Sequence, residues 1–431
     1  MQRSSSLQLP AVGLFVISSL SFLFFLCMAA LMLLLAVSGL FRLGIHAGGQ
    51  VTSAGQGVMP LFVLAWIAGL VCVLLAPALV LSFMQLLGWP LPAGPRHDNL
   101  QISSYLMLLW LAVLVGGAVL SRYNQVSWLL LPPLQLLAIG LPIWWLIELG
   151  RRGLAGGGPL RNWGLLSLGL AVGPTASFVA EVILLGVIFI LFVIWMAAQP
   201  GMESQLTRIS ERVMNAGGDL EVIGRIMRPV LERPAAIVSV LLVGCGLIPL
   251  LEELIKPLPL WGLAGRKITP AAGFTAGLIC GGGFALLEGL GNLANPVGDQ
   301  WLTLVIGRAG TSTLHIVTTG LVGWRIASAW QNGGNPRRSG GYLTLGVTYL
   351  LAAGLHGIWN AFGLLNALPG LLGPAQVTGS LAVFSRLGNL APYMLSVLVV
   401  VLFLILLGMN RRLQSESVDD QTSKIELGPI G

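Results

Sequence analysis

Four stretches of this 431-residue chain set acids, imidazoles and a lysine inside otherwise apolar sequence. The first is Glu252-Glu253-Leu254-Ile255-Lys256, in the middle of an apolar run over 235–264. Glu252 and Glu253 precede Lys256 by four and three positions, so either carboxylate can reach the ammonium along one helix face. Adjacent helical positions diverge by about 100°, which lets one glutamate pair with Lys256 while the other points into a cavity. The second, Phe284-Ala285-Leu286-Leu287-Glu288, puts a ring and a carboxylate on one face just after Gly281-Gly282-Gly283, a triplet that allows close helix approach. In the third, Arg308 and His315 lie two turns apart on one face with Thr311 and Ser312 between them, and Arg308 is a candidate counter-ion for Glu288. The fourth, His356-Gly357-Ile358-Trp359-Asn360, stacks an imidazole and an amide.

An ionisable side chain at mid-bilayer costs at least ~2.5–3.5 kcal/mol, so a group of them marks a site by default. Measured from helix ends at Ala264, Ala271, Ala327 and Tyr342, the groups Glu252, Glu288, His315 and His356 lie 12, 17, 12 and 14 residues in. At 1.5 Å rise per residue this is a shared band about 18–26 Å deep. Carboxylates and imidazoles at one depth describe an acid/base site or a metal site. Glu288, His315 and His356 could ligate a divalent metal such as zinc with water in the fourth position, whereas a glutamate-activated water needs no metal. Taken singly, each group also has a plain structural reading: an ion pair, a carboxylate at interfacial water, or an imidazole bonded to a neighbouring helix. Buried acids and histidines also build the proton relays of transporters, although no second copy of the motifs occurs in the first half.

The elements that must carry these residues follow from composition. The chain is 55% hydrophobic and 9% charged, which excludes a soluble or disordered protein. Apolar runs at 11–41, 58–84, 102–120, 126–149, 174–198, 235–264, 271–293, 301–327, 342–368 and 387–408 approach or exceed the ~20 residues that span hydrocarbon. They are too long for barrel strands, so the expected fold is all-α, a polytopic transmembrane bundle of about ten helices. The shorter run 163–173, ending at Gly173-Pro174, reads as interfacial, re-entrant or the first part of a broken helix. The organisation expected is 1–162, helices of unassigned role; 163–234, that segment, one helix and a charged loop; 235–368, the core with the motifs; 369–410, a last helix; and 411–431, a disordered polar tail.

If 163–173 does not cross, one side carries both termini and 13 basic loop residues against 8 opposite, which makes it cytoplasmic. The opening apolar run exceeds a signal-peptide core of about 7–15 residues and reads as a retained anchor. Glu148 precedes Arg151 and Arg152 at a helix end, as an interfacial pair would. Cys27, Cys72, Cys245 and Cys280 lack metal or disulfide spacing. There is no HExxH, no P-loop lysine and no basic stripe, so neither a nucleotide nor a nucleic acid is an expected partner.

The four motifs in this order, one per helix over 235–368, resemble the PrsW family of intramembrane proteases, within the group that holds the CAAX prenyl proteases and bacteriocin-immunity membrane proteins. The matching residues are Glu252, Glu253, Lys256, Phe284, Glu288, His315, His356 and Asn360. The resemblance implies that Glu252 activates water for peptide hydrolysis, partnered by Glu253 and Lys256, and that His356 and Asn360 stabilise the oxyanion. It implies a single-pass membrane protein in the lipid bilayer as substrate, of the anti-sigma-factor kind, and a prokaryotic cytoplasmic membrane as location. Glu288 stands where CAAX proteases carry histidine, which argues against prenylated substrates. A related silent subunit exists, so a catalytically inactive scaffold is the alternative.

Overall fold

The computed structural model describes residues 8–46, 52–93, 99–123, 127–154, 157–198, 202–215, 222, 226, 234–264, 268–293, 300–332, 340–372 and 386–426. No strand occurs among them. The helices are α1 (Gln8–His46), α2 (Thr52–Leu86), α3 (Leu100–Leu120), α4 (Ser127–Gly150), α5 (Pro159–Ala197), α6 (Met202–Asn215), α7 (Pro234–Leu242), α8 (Ile248–Ile255), α9 (Leu258–Trp261), α10 (Pro270–Asn292), α11 (Trp301–Asn332), α12 (Gly340–Leu372) and α13 (Ala391–Glu426). Among the described residues, nine helical stretches are long and apolar enough to cross a membrane. The protein is an integral membrane protein with an all-α polytopic fold.

The remaining apolar run, 301–327, is equally helical, within α11, but is less apolar because it carries Arg308, Thr311, Ser312, Thr313, His315, Thr318 and Thr319. Four of its hydroxyls are satisfied within the helix. Thr311, Ser312, Thr313 and Thr318 donate to the carbonyls four residues earlier at 2.8–3.1 Å. This local bonding is what lets a polar stretch be buried. The 163–173 run is neither re-entrant nor separate. It is the first part of α5, which continues through Pro174 without a break to Ala197. The charged segment after α5 contains an amphipathic helix, α6. The tail expected to be disordered from 411 continues α13 as far as Glu426.

The chain divides into two units. One comprises Met1–Pro174, Lys256–Thr348 and Leu402–Gly431, the other Thr175–Ile255 and Tyr349–Val401. In the first, α10 is buried along most of its length. It starts at Thr269, whose hydroxyl accepts from Ala272 N at 3.1 Å, with Pro270 in the first turn where its missing N–H costs nothing. At its other end Gln135 of α4 donates to Leu293 O at 3.2 Å. Gly273, Gly277 and Gly281 recur every four residues and so form one ridge; a Cβ on any of them would collide with the carbonyls of Gly323, Thr319 and His315 in α11. Gly283 meets Gly169 and Leu170 of α5 in the same manner. Small residues thus bring backbones together where lipid provides no hydrophobic drive between helices. Elsewhere in this unit Arg151 pairs with Glu148, and Asn410 of α13 donates to Gly150 O and Arg152 O at 2.9 and 2.8 Å, closing the C-terminus of α4.

The second unit contains α7 and α8, joined without interruption by a π-helical turn, Val243–Leu247. Pro249 lies just beyond it, at the second position of α8. A proline in a helix clashes with the carbonyl four residues back and donates nothing, and the wider π turn relieves that clash. The face of α5 over Phe178–Trp195 is apolar and outward, as a lipid-facing surface is.

Candidate active site

In the second unit α8 presents Glu252 and Glu253, both buried, and α12 brings His356, which is 3% exposed. His356 Nδ1 lies 3.0 Å from Glu253 Oε1, and its Nε2 lies 3.9 Å from Glu252 Oε2. An ionised Glu253 only accepts, so Nδ1 carries the proton and donates to it. The neutral ring then turns the lone pair of Nε2 toward Glu252, and two acceptors face each other across a gap too long for a direct hydrogen bond. Such a pair is suited to a proton, a water donating to both, or a divalent cation. For a cation, carboxylate oxygen plus imidazole nitrogen is a suitable donor set, and the Glu253 bond to the far nitrogen is the contact that fixes tautomer and ring direction in metal-binding histidines.

Asn360, one turn beyond His356, donates through Nδ2 to Gly244 O at 2.9 Å. Gly357 lies against Cys245 O so closely that a Cβ there would collide with it. Tyr349 donates its hydroxyl to Leu250 O at 2.7 Å. Three positions of α12 therefore grip the backbone of the π turn and the start of α8. The roles of Tyr349, Gly357 and Pro249 are absent from the motif reading. Pro249 inside an apolar run was the signal that could have exposed them, since a proline there frees a carbonyl.

In the first unit Lys256 is fully buried. It follows the last residue of α8, Ile255, and precedes Pro257, which pushes the residue before it out of the helical region. Its ammonium reaches His315 Nδ1 at 2.8 Å. Lysine is a donor only, so Nδ1 accepts and the ring proton sits on Nε2, which meets Glu288 Oε2 at 2.6 Å. Arg308 completes the chain with 2.8 Å to Glu288 Oε1, as the sequence suggests for its counter-ion. Phe284 closes it from the side, with its ring centroid 4.7 Å from Lys256 Nζ and 5.3 Å from that of His315, edge to face. The Phe284-x-x-x-Glu288 spacing thus has a physical meaning: one turn of α10 holds the ring against the ammonium and the carboxylate against the imidazole.

The expected residues fall into two groups. Lys256, Phe284, Glu288, Arg308 and His315 come together in the first unit, and Glu252, Glu253, His356 and Asn360 in the second. With lysine and arginine charged, glutamate ionised and histidine neutral, the first group carries a net charge of +1 and the second −2. Of the expected metal ligands, Glu288 is held by Arg308 in an ion pair. His356 faces Glu252, and carboxylate with imidazole is a suitable donor pair.

A family model described as PrsW family intramembrane metalloprotease matches residues 174–406, more than half of the chain. No curated protein and no solved structure matches. The matched range includes all nine residues above, and the chain belongs to the PrsW family of intramembrane metalloproteases.

Proposed function

We propose that this protein hydrolyses a peptide bond in a single-pass membrane protein, with Glu252 drawing the proton from the attacking water. The observation that carries this reading is His356, fixed by Glu253 at Nδ1 and turned toward Glu252 Oε2 across 3.9 Å. A water between two acceptors has both protons directed at them and a lone pair left for a carbonyl carbon. As its oxygen adds, Glu252 takes one proton, and the carbonyl becomes an oxyanion. Glu252 then returns that proton to the amide nitrogen as the C–N bond breaks, leaving an amine and a carboxylic acid whose remaining proton passes to the amine, so that the products are a carboxylate and an ammonium.

In this proposal Lys256, His315, Glu288 and Arg308 also serve the reaction, because the family match over 174–406 includes them and ionisable groups clustered in an apolar helix bundle mark a functional site. The family is described as metalloprotease, and Glu252 and His356 are the residues that would hold a divalent cation such as zinc, which when bound would polarise the scissile carbonyl and acidify water.

A substrate helix has its amides hydrogen-bonded and must unwind locally before attack. The anti-sigma-factor class, a prokaryotic cytoplasmic membrane and cytoplasmic termini complete the proposal, the last supported by the excess of basic loop residues. The test is cleavage of a single-pass membrane substrate by the purified protein in H₂¹⁸O. One ¹⁸O atom in the new C-terminal carboxylate is expected. An intact substrate, across several anti-sigma-like sequences, would remove the reading.

A further inference from the structure

Asn360 ends the motif that supplies His356, yet its amide is directed at backbone. The carbonyl it meets, that of Gly244, has a specific deficit. In an α-helix its donor would be Ile248 N–H, but that group is given to Val243 O, five residues back, in the π register. Continuing that register, the donor would be residue 249, and Pro249 has no N–H. Neither backbone partner exists, and the Asn360 amide sits at 2.9 Å in its place.

We infer that Asn360 is a positioning residue: it supplies from α12 the hydrogen bond that Pro249 withholds from Gly244, and so holds the π turn that aims Glu252 and Glu253. The lever is the helix period. A π turn is equivalent to one inserted residue, so its collapse to α geometry rotates everything downstream by about 100° relative to α7. Such a rotation would carry Glu253 off His356, one turn away on the same α12 face that holds Asn360. The neighbouring Gly357 lets α12 come close enough for the short asparagine side chain to reach.

The activity arm of the test rests on the proteolytic reading; the stability arm does not. Asn360→Leu keeps the size and removes the donor, while Pro249→Ala returns an N–H to the chain. The single variant should lose roughly 10–100-fold in cleavage, as expected for an orphaned buried carbonyl. It should also melt about 2–4 °C below wild type. Asn360→Leu/Pro249→Ala should regain most of both, because the chain then satisfies Gly244 by itself. The inference is overturned if Asn360→Leu melts like wild type, or if the double variant melts no higher than the single. Restored melting without restored cleavage would equally overturn it, since Asn360 would then act on the reacting atoms. If wild type cleaves no substrate, the proteolytic reading fails and the melting comparison alone decides the role of Asn360.

Discussion

Lys256 Nζ lies 2.8 Å from Nδ1 of His315, and this contact decides which nitrogen of the ring carries the proton. An ammonium has nothing to accept with, so His315 must, and its Nε2–H is left for Glu288. One donor-only residue thereby sets the direction of a part-buried chain that runs from Lys256 to Arg308.

Lys256→Met should therefore release the tautomer as well as remove a charge. We expect cleavage to fall at least about 10-fold, and the ¹⁵N spectrum of His315 to show mixed Nδ1–H and Nε2–H forms. Lys256→Arg should not restore activity, because a planar fork cannot replace a compact ammonium between Phe284 and His315. A single unchanged tautomer in Lys256→Met would contradict the assignment.

Glu253 acts on His356 through Nδ1, while the 3.9 Å gap to Glu252 lies at Nε2. Glu253→Gln keeps the shape but offers Nδ1 a weaker acceptor. Its expected cost is about 10–100-fold in activity, the range for carboxylates that orient such a histidine. A loss as complete as that of Glu252→Gln would mean that Glu253, not Glu252, meets the water.

Arg308 and Glu288 form an ion pair whose side chains are 14% and 31% exposed. Arg308→Met should destabilise the fold by about 1–3 kcal/mol by leaving a carboxylate with one counter-group fewer. Arg308→Met/Glu288→Gln should recover part of that. Additive losses in a denaturation cycle would show that the pair contributes nothing.

The α10–α11 contact depends on glycine at 273, 277 and 281. Gly277→Val drives a branched side chain into Thr319 O and should cost about 1–3 kcal/mol or more, with His315 displaced as α11 moves away. Retained stability would mean that the helices are not in backbone contact there.

Much of this was legible in the sequence. Ionisable residues are so costly in lipid that Glu252, Glu288, His315 and His356 stand out by type alone, and Arg308 pairs with Glu288 as spacing and charge suggest. Lys256 was less legible. Its contact with His315, 59 residues on, is not implied by any spacing within its own motif, and Pro257 ends the helical geometry on which such spacing relies. The clue lay in the adjacent residue. Gly173-Pro174 gave the opposite error, because a proline within a long apolar helix need not break it when neighbours satisfy the freed groups. The π turn could not be read at all. It arises from Pro249 acting on a carbonyl whose new partner, Asn360, is more than a hundred residues away.

The central claim is that Glu252 activates the water, and the most direct measurement is substrate cleavage by Glu252→Gln in a bilayer, compared with wild type at equal melting temperature and equal substrate binding. The amide keeps the size of the carboxylate but cannot take a proton. We predict loss of cleavage by more than about 1,000-fold, with binding and folding unchanged. Cleavage within a few-fold of wild type would contradict the account.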